Sequence, residues 1–240
     1  MTERNNKYLK HFEGDRALKR YQNEIQCAQM FPLITPRVIS RDDKNLRLEF
    51  ELLRGDNTAF TKSGLVAIGR TLAQTHKQAG IESGEWVESG LLSRYQATNI
   101  SSLRERYQSA KGEIEAPRYS LTHGDYRRRN IFLTEGDGVK VIDWEFAGTN
   151  LIYWDLAIFI GDMRHQRYHK IHDLDDSHFL EAYTGEIPLT DEEANFCRVL
   201  GGVDIVLDHM EPRQGEKPPE PSDLFVNFNE EEMKYLLHSN

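Results

Sequence analysis

The sequence predicts an α+β fold in two parts, a small strand-rich N-terminal part followed by a larger, mainly helical one. Three observations carry that prediction. Leu46, Leu48, Phe50 and Leu52 alternate with Arg47, Glu49 and Glu51, the period-two pattern of a half-buried strand. Leu65, Ile68, Leu72 and His76 fall on one helical face. Beyond Leu151 the chain reads as mostly helical. No internal repeat or low-complexity tract is visible, so the 240 residues form one domain, or two lobes sharing a core, divided as 1–53 and 54–240.

Taken in order, Lys7–Phe12 reads as a strand, and Gly14 and Asp15 follow it. Asp15 is placed to cap a helix whose inward face carries Leu18, Tyr21, Ile25 and Ala28. Phe31-Pro32 ends that helix, because proline disfavours helical geometry in the residue before it. Arg37–Arg41 and Asn45–Leu52 form a hairpin around Asp42-Asp43-Lys44, and Arg54–Asn57 is a turn. A further helix is expected near Gly90–Ala110. Within the dense segment Tyr119–Gly148, Ile131–Leu133 and Val139–Ile142 pair across a Gly136-Asp137-Gly138 turn. A proline-rich loop at Lys217–Pro221 and a short helix near Glu230–His238 complete the pattern.

Composition narrows the function. The chain is 38% hydrophobic and 29% charged, which argues against wholesale disorder. No run approaches ~18 apolar residues, so no membrane span is expected. MTERNNKYLKHF has no basic-then-apolar leader, and two cysteines, Cys27 and Cys197, suit a reducing cytoplasm. A net charge of −9 makes a nucleic-acid partner unfavourable and suits a cationic small molecule or a metal ion.

Three side chains carry the chemistry. Asp125 and Asn130 lie in Thr122-His123-Gly124-Asp125-Tyr126-Arg127-Arg128-Arg129-Asn130, and Asp143 lies in Val141-Ile142-Asp143-Trp144-Glu145. Phosphoryl transfer needs a carboxylate to orient the attacking hydroxyl, oxygen ligands for Mg²⁺, and a cation on the phosphates. The intervening hairpin folds Asp143 back toward the Asp125–Asn130 loop. His-x-Asp-x₄-Asn would occur by chance on the order of 0.01 to 0.03 times in this length. The bland reading, a polar loop of turn residues, accounts poorly for all three together.

His123-Gly124-Asp125 with Asn130, followed by Ile142-Asp143-Trp144-Glu145, resembles the aminoglycoside phosphotransferase and choline kinase superfamily, the small-molecule branch of the protein-kinase-like fold. Asp155-Leu156-Ala157, Phe179–Tyr183 and Leu189–Glu193 resemble its later elements, and Leu48–Gly55 its adenine-receiving strand and hinge. No Ala-Pro-Glu signature follows, which separates the chain from protein kinases. The resemblance implies a two-lobe kinase-like fold with a strand-rich N-lobe and a helical C-lobe. It implies Asp125 as catalytic base, Asn130 and Asp143 as Mg²⁺ ligands, and Lys10, paired with Glu24, on the phosphates of ATP or GTP. Adenine would lie against Phe50–Leu53, Phe50 and Leu52 included. His123 and Asp155 would brace the catalytic loop, and the acceptor would be a hydroxyl of a small molecule such as choline or an aminoglycoside.

One departure stands out. Only nine residues precede Lys10, and Met1–Leu9 contains no glycine, so the expected N-lobe is truncated and lacks the glycine-rich loop. Lys7, on the opposite face of the same strand, is the alternative to Lys10, and a nucleotide-binding pseudokinase is the alternative to a working enzyme. Lys10 and Glu24 also read as an ordinary surface pair. Arg127, Arg128 and Arg129 could steer an anion, although at least two read as solvated. Trp144, Tyr153, Trp154 and Tyr183 read either as core or as an aromatic wall for a quaternary ammonium. Glu211, Glu216 and Glu220 read as solvated, and His165, His169 and His172 lack a metal-ligand pattern.

Overall fold

The computed structural model describes residues 7–55, 61–87, 101–134, 138–168 and 173–210. In the N-lobe, β1 (Lys7–His11), α1 (Ala17–Met30), β2 (Val38–Asp42) and β3 (Arg47–Glu51) follow one another. β3 is the middle strand and runs antiparallel to both neighbours, with Lys10 opposite Leu48 and Tyr8 opposite Phe50. Its alternation decides its buried side. Leu48 and Phe50 enter a small core with Phe12 and Tyr21, whose rings meet edge to face at 5.6 Å.

α1 ends at Met30 just before Phe31-Pro32, but its start and its rotation differ from the sequence reading. The chain enters the helix through Gly14 (φ 77°) and Arg16 (φ 64°). These left-handed residues make Arg16, not Asp15, the residue before the first turn, and no side chain caps it. Leu18 is 56% exposed, whereas Tyr21, Glu24 and Cys27 are buried. Polar docking sets the rotation. Glu24 meets Lys10, and Asn23 meets the 145–147 backbone, so the helix turns these positions inward at the expense of Leu18.

The C-lobe contains α2 (Lys62–Ala79), β4 (Glu82–Ser83), α3 (Ser101–Gly112), β5 (Arg118–Thr122), β6 (Ile131–Thr134), β7 (Gly138–Val141), β8 (Gly148–Leu151), α4 (Ile152–Tyr168), α5 (Ser177–Thr184) and α6 (Asp191–Met210). β4, β5 and β8 form one small sheet, and β6 and β7 form the expected antiparallel hairpin with Ile131 opposite Val141. α2 buries Leu65, Ile68, Leu72 and His76 as predicted, and the Thr61 hydroxyl caps it by accepting the Gly64 N–H at 3.0 Å. α6 opens on a capping box. Thr190 Oγ1 accepts the Glu193 N–H at 3.2 Å, and the Glu193 carboxylate accepts the Thr190 N–H at 2.9 Å.

α4 is buried on every side from Ile152 to Gly161, the signature of a helix inside a core. It packs on α6 at backbone distance. A Cβ on Gly201 would lie 2.3 Å from the Ala157 carbonyl oxygen, and one on Gly161 would lie 2.5 Å from that of Gly201. Among the described residues no helix is long and apolar enough to cross a membrane. The Asp56-Asn57 half of one expected turn, the start of the helix near Gly90, the Gly136-Asp137 turn, His169, His172, Glu211, Glu216, Glu220, the Lys217–Pro221 loop and the helix near Glu230–His238 lie outside the described residues.

Candidate active site

The loop after β5 carries Asp125, and its backbone is fixed by a buried carboxylate. Asp155, in the first turn of α4, accepts the N–H groups of His123 at 2.7 Å and Gly124 at 2.9 Å. Gly124 has φ 86°, and a Cβ there would lie 2.5 Å from the Phe146 carbonyl oxygen. A side chain would therefore be strained and would collide with backbone. His123 Nδ1 accepts the Asp125 N–H at 3.2 Å, and Nε2 donates to the Ile142 carbonyl at 2.9 Å. A backbone N–H only donates and a carbonyl only accepts, so these partners define the neutral Nε2–H tautomer. The imidazole thereby ties the Asp125 loop to the segment that carries Asp143.

Asn130 lies on the same junction. Its backbone carbonyl accepts the Ile142 N–H at 2.9 Å, and its side-chain Nδ2 donates to the Asp125 carbonyl and to Asp125 Oδ2, each at 2.9 Å. Asp143 follows with φ 69° and ψ 49°, a left-handed conformation that costs a non-glycine residue of order 1 kcal/mol or more. The hairpin thus returns Ile142, the residue before Asp143, to the backbone of Asn130, as the spacing predicts.

From the N-lobe, Lys10 reaches this junction. Its ammonium donates to Glu24 at 2.5 Å and to Asp143, and lies 3.3 Å from Glu145. Burial works against the charge on Lys10, but Glu24 and Asp143 outweigh it and hold the ammonium above its usual pKa. Burial raises the carboxyl of Glu24, with Lys10 opposing. Lys7 is directed to Glu49 at 3.1 Å on the exposed side of the sheet, so Lys10 is the lysine in contact with Glu24 and Asp143. Lys10, Glu24, Phe50, Leu52 and Asp143 line one cavity of about 310 Å³ between the lobes, together with Leu53 and Ile142.

This geometry revises one reading of the sequence and decides another. Arg127 and Arg128 are not solvated. Arg127 Nε donates to Asp125 Oδ1 at 2.8 Å and its Nη2 to Asp204 at 3.0 Å, while Arg128 is tied to Gln166 and its N–H to Asp162 at 3.0 Å. Arg129, 71% exposed, still reaches Asp125 Oδ2 at 2.9 Å. Trp144, Tyr153, Trp154 and Tyr183 are all buried, so they are core and form no exposed aromatic wall.

The sequence reading also missed several partners. Glu145 is shared by Lys10 and by Arg20 at 3.1 Å, and Asn23 Nδ2 donates to the carbonyls of Glu145 and Ala147 at 2.9 Å each. Arg20, Asn23 and Glu24 stand at i, i+3 and i+4, a polar stripe on one helix face that marks a docking face. Asp162 and Asp204 gave no signal, because a carboxylate in a helical run identifies no partner until the helices pack.

The donors at the junction suit a hard cation. Asn130 Oδ1 and the Asp143 carboxylate are oxygen ligands of the kind Mg²⁺ takes in small number beside phosphate and water. Among the described residues no group of three or more His, Cys, Asp or Glu is placed to hold a metal ion.

Fold and site together define the small-molecule branch of the protein-kinase-like class. The model of the phosphotransferase enzyme family matches residues 51–193, and the chain belongs to that family. No curated protein matches the sequence. Among solved structures, the chain is similar to choline kinase LicA from Streptococcus pneumoniae, with a TM-score of 0.66 and 19% identity over 98% of this chain and 88% of that one. LicA has also been solved in complex with AMP. An aminoglycoside-3'-phosphotransferase of type VIII is similar at a TM-score of 0.54 and 16% identity, covering 81% of this chain and 83% of that one. Amicoumacin kinase hAmiN, in complex with AMP-PNP, Ca²⁺ and Ami, gives a TM-score of 0.57 and 13% identity over 96% of this chain and 80% of that one. At these identities the likeness is one of fold.

Proposed function

We propose that this protein is a Mg²⁺-dependent phosphotransferase that moves the γ-phosphate of ATP or GTP to a hydroxyl of a small molecule such as choline, an aminoglycoside or a related metabolite, in the cytoplasm. The observation that carries this reading is the junction at Ile142, where hydrogen bonds from the Asn130 and His123 side bring the Asp125 loop against Asp143 and Lys10 at the mouth of one cavity. Similarity to proteins solved with AMP, and with AMP-PNP and Ca²⁺, supports a nucleotide in that cavity.

In this reading the Asp125 carboxylate orients the acceptor hydroxyl and takes its proton as oxygen attacks the γ-phosphorus, and the bond to the β–γ bridging oxygen breaks to leave the nucleoside diphosphate. Asn130 Oδ1 and Asp143 hold Mg²⁺, which supplies charge neutralisation on the phosphates. Lys10, fixed by Glu24, contacts the phosphates, and Phe50 and Leu52 flank the base. Positioning and charge do most of the work. The net charge of −9 remains the reason to include cationic acceptors.

A second reading is a nucleotide-binding pseudokinase, in which the same cavity takes nucleotide without efficient turnover. Two experiments decide. Asp125→Ala should abolish phosphoryl transfer while Mg·ATP binding persists, and an active variant would refute Asp125 as the base. A thermal shift with Mg·ATP but no turnover across a broad panel of alcohols would favour the pseudokinase.

A further inference from the structure

Asp155, which accepts the N–H groups of His123 and Gly124, is itself met from behind. Its carboxylate is fully buried and has acceptor capacity beyond those two bonds. The Nε2 of His76, in α2, lies 3.4 Å from Asp155 Oδ2, and the Nδ1 of the same ring lies 2.8 Å from the hydroxyl of Tyr183, in α5. His76 and Tyr183 are also fully buried. The two helices that carry them touch at backbone distance, since a Cβ on Gly69 would lie 2.3 Å from the Phe179 carbonyl oxygen. His76 stands two turns beyond Gly69 and Tyr183 one turn beyond Phe179, so the close approach sets the meeting of the two rings.

The partners fix where the hydrogens lie. An ionised carboxylate only accepts, so Nε2 carries a hydrogen. Burial raises the Tyr183 hydroxyl well above its ordinary pKa, so it keeps its proton, and among the described residues its hydrogen-bond partner is His76. A buried O–H left without an acceptor is costly, so it donates to Nδ1 and the ring is neutral. The chain of bonds then runs from Tyr183 through His76 and Asp155 to His123, whose Nδ1 accepts the Asp125 N–H. Which ring nitrogen carries the hydrogen is set by the bond that the other one makes. We propose that His76 and Tyr183 are positioning residues for phosphoryl transfer: Tyr183 sets the tautomer of His76, and His76 orients the carboxylate of Asp155 that fixes the Asp125 loop. Without the hydroxyl the opposite tautomer is open to the ring, and it turns a nitrogen lone pair toward a carboxylate oxygen.

The effect on rate rests on the phosphotransferase reading, and the test keeps the two apart. Turnover of Mg·ATP is measured with choline and an aminoglycoside as trial acceptors, and Mg·ADP affinity by calorimetry. His76→Phe keeps a flat ring and removes both nitrogens, whereas His76→Gln gives up the ring but keeps an amide donor near the place of Nε2. His76→Phe should lower kcat about tenfold or more with Mg·ADP affinity within about twofold, and His76→Gln should recover most of that loss. A ring that merely fills space ranks the two variants the other way. The reverse order, equal losses or an unchanged kcat therefore overturns the proposal. Tyr183→Phe should also lower kcat, and should cost nothing further in the His76→Phe background; equal losses in both backgrounds overturn it too. If the parent protein transfers phosphate to no acceptor, the phosphotransferase reading fails by itself, and a measurement without turnover decides the rest. In ¹⁵N-labelled parent protein the His76 ring should show the Nε2–H tautomer by NMR. In Tyr183→Phe, which removes a single oxygen, that tautomer should lose population, and the His123 and Gly124 amides should exchange about fivefold faster while those of α4 keep their protection. An Nδ1–H ring in the parent, or unchanged exchange of those two amides, overturns the inference. The same measurement decides it if the His76 variants do not fold.

Discussion

Asn23, in the N-lobe helix, holds the backbone of Glu145, in the C-lobe turn just after Asp143. The same Nδ2 reaches the carbonyls of Glu145 and Ala147, while Arg20 one turn earlier reaches the Glu145 carboxylate. The lobes are therefore joined across the site by α1. Asn23→Ala leaves two carbonyls without this donor and should cost about 1–2 kcal/mol in urea denaturation. A variant as stable as the parent would show that the bond does not secure the interface.

Lys10 sits among Glu24, Asp143 and Glu145, and its removal leaves three acids facing one another. Lys10→Met should destabilise the protein by about 3 kcal/mol at neutral pH. The sign of its pH dependence follows from Glu24. Burial raises that carboxyl, as do Asp143 and Glu145, and Lys10 is what opposes them. Without Lys10 the folded state binds a proton on Glu24 more tightly than the unfolded chain does, so stability rises as pH falls through that raised pKa. Denaturation at about pH 8, 6.5 and 5 should find the deficit of the variant shrinking toward acid. A deficit that grows there contradicts this account.

Gly201 faces the Ala157 carbonyl at a distance no Cβ tolerates. Gly201→Ala must push α6 away from α4 and should cost about 1–3 kcal/mol by thermal denaturation.

Asp155 accepts two backbone N–H groups of the loop that carries Asp125, and His76 Nε2 lies 3.4 Å from it. In Asp155→Asn one oxygen becomes a donor facing a donor. The loss should be about 2–3 kcal/mol, with turnover lost before nucleotide binding. Unchanged turnover would remove Asp155 from the support of the site.

Cys27 is buried, and burial with help from Glu24 pushes its thiol up to about 12. Burial raises Cys197 as well. The thiolate is the reactive form, so at about pH 8 the folded protein should be inert to a disulfide reagent, and both thiols should react after unfolding. Rapid labelling of the folded protein would contradict the burial of these thiols.

Much of this was legible before any coordinates. The period-two run in Leu46–Leu52 located β3, the helical spacing of Leu65–His76 located α2, and Asp125, Asn130 and Asp143 appeared through their spacing around a short hairpin. Local patterns sufficed there because each expresses one periodicity or one turn. The rotation of α1 differs from the one Leu18 suggests because its apolar spacing competes with an inward polar stripe, and only the partners of that stripe show which wins.

What the sequence determined by itself is the set of elements and the chemical kit: three oxygen-bearing side chains, a lysine strand and a helix with a glutamate. What tertiary structure alone decided is which groups meet. Lys10 rather than Lys7, Glu145 beside Glu24, and Asp204 behind Arg127 all depend on contacts between residues far apart in the chain. The physical reason is range. Periodicity and turn chemistry act over a few residues and are written locally. A charge finds its partner only after burial has chosen which helix faces which loop, and that choice is made by the whole core at once.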